Sequence, residues 1–262
     1  MKKLGFAVIS AALTMLGATS AVAQDDEAPA FELPSKVVPV EIWACSYRDR
    51  QGPDDLDDVV EGWSDYMDDN EVDNYAAWTL TKWAYGPNQE FDFLWLGAWA
   101  DGNAMGTGLD MFTDSGGEHF DNFMRVSDCS AHTMAGSINY KATEDGTPQN
   151  ALITFANCNV AEGASYPEVA QATREWAALL TESGSQASAF HWFPSYGGGG
   201  ESVPDFLSVV AYPNFTELGA DFERLTNGEM FRQQGALFND IVNCDVRRIY
   251  NAQVRRSAQL RE

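Results

Sequence analysis

Three histidines, eight tryptophans and four cysteines carry most of the chemistry this 262-residue chain can offer. His191 stands between Phe190 and Trp192 in "SAFHWFP", and a histidine held among aromatic rings can titrate near neutral pH and act as acid or base. His119 opens "HFDNF" at a predicted helix start, where its ring could face a ligand. His132, in "CSAHTMAG", falls on a predicted strand at a position suited to a wet polar side chain. No acid/base pair is evident around any of the three. The indoles concentrate in the first half, at Trp43, Trp63, Trp78, Trp83, Trp95 and Trp99. Strand-borne aromatics with few polar neighbours are what lines an apolar pocket, and core packing is their competing role.

The remaining motifs exclude more than they include. "GGGG" at 197–200 has neither the lysine nor the helix of a phosphate loop and reads as a turn. The acidic runs "DDLDD" (54–58) and "DYMDDNEVDN" (65–74) lack the order of an EF-hand, and read as the solvated face and end of a helix. There is no Cys-x-x-Cys, and no histidine stands at ligand spacing from a cysteine, so no metal site is expected.

Residues 1–23 have two lysines, a short apolar run and then Ala-Val-Ala, the layout of a signal peptide cut after Ala23. The apolar run is short against the ~20 residues a membrane span needs. Cleavage would remove two lysines and no acid from a chain of formal net charge −23, leaving 14 bases against 39 acids. Such a field repels nucleic acid and anionic lipid. Residues 24–35, "QDDEAPAFELPS", read as a flexible acidic leader. The expected product is soluble, and periplasmic or secreted.

The elements that position these side chains are written twice. "DFLWLGAWADGNAMGTGLDMF" (92–112) returns without a gap as "DFLSVVAYPNFTELGADFERL" (205–225), an offset of 113 residues. At the same offset Cys45 meets Cys158 and Trp63 meets Trp176, while Cys129 meets Cys244 after a two-residue insertion. A period this long indicates duplicated domains rather than a solenoid. Each half reads as strand, helix, two strands joined by a turn, a helix interrupted by glycine, and a last strand. Asn214, three residues before Glu217, marks the start of the long helix in the second half. The predicted fold class is α+β: two ferredoxin-like βαββαβ units, 36–143 and 150–256, packed sheet to sheet as an intramolecular α/β barrel. The near-continuous apolar character of 91–99 requires cover on both faces.

In such a unit the first and last strands are antiparallel neighbours. Cys45 and Cys158 end first strands, and Cys129 and Cys244 start last strands. The predicted bridges are therefore Cys45–Cys129 and Cys158–Cys244, one in each unit.

The order βαββαβ, with "FLWLGAWADGNAM…GGEHFDNF", resembles the dimeric α/β-barrel superfamily, which includes antibiotic-biosynthesis monooxygenases, haem-degrading monooxygenases and NIPSNAP- or EthD-type proteins. In that segment a strand ends on Trp99, a helix follows, and a small-residue turn precedes His119, Phe120 and Phe123. The second half keeps Tyr212, Phe231 and Phe238. Many members of the superfamily pair two chains into one barrel; the resemblance implies a chain that closes the barrel internally, so that a monomer is plausible. Haem-degrading members use an Asn, a Trp and an axial His. The first half offers Trp99 and His119 with Ala44-Cys45 at the Asn position, and the second offers Asn157 and Tyr212 without the histidine.

The reading is an exported protein binding a small apolar or aromatic molecule between sheet and helices, with Trp78, Trp95, Trp99, His119, His191 and Tyr212 as candidate contacts. A cofactor-independent monooxygenase-like activity is the enzymatic form of that reading, and no cofactor is predicted. A non-catalytic envelope stress or interaction protein, and a haem-binding protein, are the alternatives.

Overall fold

The computed structural model describes residues 35–87, 89–143, 150–197 and 203–257. The predicted signal peptide, the leader up to residue 34 and the glycine run after Gly197 lie outside them. The first half runs β1 (Val38–Tyr47), α1 (Pro53–Asp69), β2 (Tyr75–Ala84), β3 (Phe93–Trp99), α2 (Gly102–Ser115), α3 (Gly117–Val126) and β4 (Ser127–Lys141). The second runs β5 (Asn150–Val160), α4 (Tyr166–Glu182), β6 (Ser188–Gly197), β7 (Phe206–Tyr212), α5 (Phe215–Thr226), α6 (Met230–Phe238), β8 (Val242–Cys244) and β9 (Arg248–Arg256).

Local chemistry sets the helix ends. The Asp101 carboxylate accepts the N–H groups of Asn103 and Ala104, both at 2.9 Å, and starts α2. Asn214 does the same for Glu217 N–H at 3.0 Å and starts α5. Gly116 divides α2 from α3, since a Cβ there would collide with Phe112.

The strands run β4-β1-β3-β2 in the first half and β9-β5-β7-β6 in the second, and the edges meet, β2 on β9 and β4 on β6. The result is a closed, antiparallel, eight-stranded barrel, with β8 beside β5 as a short extra strand. The two sheets are thus joined by hydrogen bonds along both seams, and their inner faces meet across the barrel. That interior is filled mainly by side chains from the strands, among them Trp78, Leu80, Leu94, Leu96, Phe155, Trp192 and Tyr250. Alternate residues point outward under helices, which is why every residue of β3 is buried: Leu94, Leu96 and Ala98 inward, Phe93, Trp95 and Trp99 outward.

Both predicted disulfides are present, Cys45–Cys129 and Cys158–Cys244, and each joins residues directly opposite on antiparallel neighbours. The last strand of the second half departs from the expected unbroken run at 244–256. Asp245 turns aside to bond Asn157, its carboxylate accepting both the backbone and side-chain N–H of that residue, and pairing resumes only at Arg248.

The offset of 113 residues also fails on one strand. Ala76 lies opposite Ala98, whereas Ser188 lies opposite Ala211, so β2 and β6 correspond at an offset of 112. One residue fewer separates α4 from its sheet. A slip of one flips a strand's side chains to the other face. Trp78 therefore lies inside the barrel and His191 outside it, rather than in matching places.

Candidate functional site

A cavity of about 470 Å³ lies between the outer face of the first-half sheet and helices α1, α2 and α3. Alternation along β1 sends Val40, Ile42 and Ala44 into the barrel and leaves Glu41 and Trp43 on the cavity side. Tyr75, Trp95, Trp99 and His132 complete the sheet wall, while Trp63, Phe112, His119, Phe120 and Phe123 close it from the helices. Trp63 meets Trp95 edge-on at 5.2 Å and 84°, and Tyr75 at 5.9 Å and 80°, so the rings form corners rather than a stack.

One carboxylate organises the polar side. Glu41 is only 6% exposed, and its Oε1 accepts the Tyr75 hydroxyl at 2.7 Å. Its Oε2 accepts Trp43 Nε1–H at 3.1 Å and lies 3.0 Å from His132 Nε2. The Trp95 indole N–H donates in turn to the Tyr75 oxygen at 3.1 Å. Burial works to raise the Glu41 pKa, but the hydrogen bonds from His132, Tyr75 and Trp43 outweigh it and hold the group below the ordinary carboxylate value. Burial and the adjoining Glu41 charge push the Tyr75 phenol well above its usual range, so it stays a donor. An ionised carboxylate can only accept, so Nε2 of His132 carries the proton of that bond. His132 also stacks on Trp43 with centroids 3.6 Å apart, which fixes the ring plane. The Trp99 indole N–H is buried with no hydrogen-bond partner among the described residues.

Of the residues expected to contact a ligand, Trp95, Trp99 and His119 line this cavity, with His119 packed 4.5 Å from the Tyr66 ring. Trp78 does not; it fills the barrel interior. His191 does not either. It is buried in the second half, with Nδ1 3.1 Å from Tyr166 Oη and Nε2 3.4 Å from Thr173 Oγ1. Burial, reinforced by the Arg247 charge, pulls its pKa down to about 3, so it is a neutral packing residue at physiological pH. Tyr212 ends β7 in the second half, and burial with the Asp221 charge raises its phenol to about 12. Glu41 and Tyr75 escaped sequence reasoning. The signal for Glu41 was a single acid inside the β-branched run "VVPVEIW", where a carboxylate costs stability unless it is paired.

Among the described residues no group of three or more His, Cys, Asp or Glu side chains could hold a metal ion, and no helix is long and apolar enough to cross a membrane. A haem would bring two propionates as well as an iron that needs an axial donor. The cavity wall includes histidines, but among the described residues no lysine or arginine lines it and its one carboxylate is ionised. The residues present do not fit an anionic macrocycle.

No profile of a known protein family matches the chain, and no curated protein matches it in sequence. Solved structures do match it. A candidate monooxygenase from Lactobacillus acidophilus NCFM aligns with TM-score 0.53 at 10% identity, covering 86% of this chain and 97% of that one. An anthrone oxidase-like protein aligns at 0.52 and 12% identity, covering 86% and 95%. A candidate chlorite dismutase aligns at 0.50 and 9% identity, covering 84% and 95%. At these identities the likeness establishes the fold alone, the dimeric α+β barrel.

Proposed function

We propose that this chain is an exported, internally duplicated barrel protein that binds a small aromatic molecule in the first-half cavity and acts on it as a cofactor-independent, monooxygenase-like enzyme. The observation that carries the reading is the Glu41–His132 pair at the wall of a tryptophan-lined cavity. The like strand order of the two halves supports the duplication, and two disulfides suit an oxidising compartment. The fold shared with a candidate monooxygenase and an anthrone oxidase-like protein supports the reaction class.

In this reading aromatic rings hold the substrate and the orphaned Trp99 N–H meets an oxygen it carries. His132 Nδ1 takes an acidic proton from the substrate, and Glu41 stabilises the imidazolium that forms. The substrate anion is then electron-rich enough to reduce dioxygen, the co-reactant. For a methylene flanked by aromatic rings the balance is a CH₂ group and O₂ giving C=O and water. Tyr75 and Trp43 keep Glu41 ionised and in place.

The test uses anthrone in air, with an oxygen electrode and mass spectrometry of the product. One O₂ consumed per anthraquinone formed is expected, and His132→Phe lowers the rate by roughly 10²–10⁴-fold, as for loss of a general base. Anthrone that binds but consumes no oxygen above the buffer rate would favour the non-catalytic binding protein. Titration with haemin is expected to give no Soret band attributable to this cavity; a stoichiometric band would reinstate the haem alternative.

A further inference from the structure

We propose that the first-half cavity takes an aromatic organic cation, an amine or quaternary ammonium group seated beside Glu41. This rests on the cavity being the ligand site, as above, and adds the charge of the ligand.

Four observations lead there. Apart from its two histidines and the Tyr75 phenol, the cavity's ionisable group among the described residues is the Glu41 carboxylate; no lysine or arginine among them lines it. That carboxylate receives three hydrogen bonds, and a carboxylate has about four acceptor sites, so one on Oε1 is still open to a donor on a ligand. The hydrogen bonds keep the carboxylate ionised, so the cluster holds an anionic group in a place shielded from water. The ring of Trp63 stands at 84° to Trp95 and at 80° to Tyr75, a corner of the kind in which aromatic cages hold ammonium groups by cation–π attraction, with Trp43 and Trp99 in the same lining.

The same geometry disfavours other ligands. An anionic aromatic would place its charge near Glu41 with no lysine or arginine among the described lining residues to offset it. A neutral one would gain a hydrogen bond at Oε1 at most, without the added attraction of opposite charges. A substrate that brings its own positive charge offsets the anion it forms on losing a proton, which joins the ligand class to the proton transfer at His132. The chain's net charge of −23 raises the local concentration of any cation but cannot by itself select an aromatic one.

The experiment is calorimetric titration of the full chain with phenethylammonium, 2-phenylethanol and phenylacetate, which share a ring and differ in charge, at about 0.15 M and again at about 1 M salt. Phenethylammonium is expected to bind one to one, at least about ten-fold tighter than the alcohol. That preference should survive high salt, and phenylacetate should not bind measurably. Glu41→Gln should bring the cation down to the alcohol's affinity and leave the alcohol unchanged. If that variant does not fold, Trp63→Leu should weaken the cation more than the alcohol. An alcohol that binds as well as the cation, or a preference that vanishes at about 1 M salt, overturns the charge assignment and leaves the cavity as a ligand site. If none of the three binds, the cavity reading falls with it.

Discussion

Tyr75 reaches Glu41 by crossing strand β3 at Gly97, the residue paired with Glu41 on one side and Ala77 on the other. A Cβ at position 97 would overlap the Tyr75 hydroxyl and ring. Gly97→Ala should therefore move Tyr75 off the carboxylate, strand one of its donors, and cost roughly 1–3 kcal/mol in urea unfolding. Its expected functional signature is a larger loss of ligand affinity than of stability. None of this was legible from spacing, because the cluster draws its residues from four strands, with only Glu41 and Trp43 near each other in sequence, and Glu41 lies 91 residues from His132. His191 shows the converse: its aromatic neighbours marked it as a candidate, and the hydroxyls of Tyr166 and Thr173 show it to be packed. It yields a pH prediction. Its folded pKa of about 3 lies below the ordinary 6.5, so its contribution is complete above pH 6.5 and is lost as pH falls toward 3. The window corresponds to stability on the order of 5 kcal/mol. His191→Gln should flatten the stability–pH curve between those values, and an unchanged acid slope would show that His191 charges without penalty.

Elements were more legible than contacts, since hydrophobic periodicity and turn residues act locally. The strand and helix order, the glycine break before α3 and the cap at Asn214 all follow from neighbouring residues. The one-residue slip between β2 and β6 was not legible, because the compensating change lies in a polar connection with no pattern to count. The bridges were legible because they depend only on which strands are neighbours. Each spans 84 or 86 residues, a loop for which chain entropy predicts about 4–5 kcal/mol. Cys45→Ala with Cys129→Ala should thus lower stability by up to that amount, and by more than the second-half pair. The reason is location: Cys45 belongs to the cluster packed around the cavity, whereas β8 is a three-residue strand beside an already closed barrel. Ligand affinity should fall with the first bridge and not with the second, a contrast that titration of the two double variants would measure.

At the scale of the whole molecule, closure of the barrel makes each half depend on the other. The first-half sheet alone would expose Trp78, Leu80, Leu94 and Leu96 on its inner face, and would leave β2 and β4 as open edges where β9 and β6 now pair. An open apolar face with two unpaired edges is a template for association. Those edges are also mutually compatible, because β9 and β6 occupy in the second half the places that β4 and β2 occupy in the first. Expressed alone under oxidising conditions, residues 35–143 should sediment as a dimer that rebuilds an eight-stranded barrel, while the full chain should sediment as a monomer. The dimer would hold two copies of the Glu41–His132 cluster, so phenethylammonium should titrate two sites per barrel instead of one. A monomeric, cooperatively folded fragment would mean that the inner face can be covered without a second sheet, and the barrel interior would then lose its place as the feature joining the two halves.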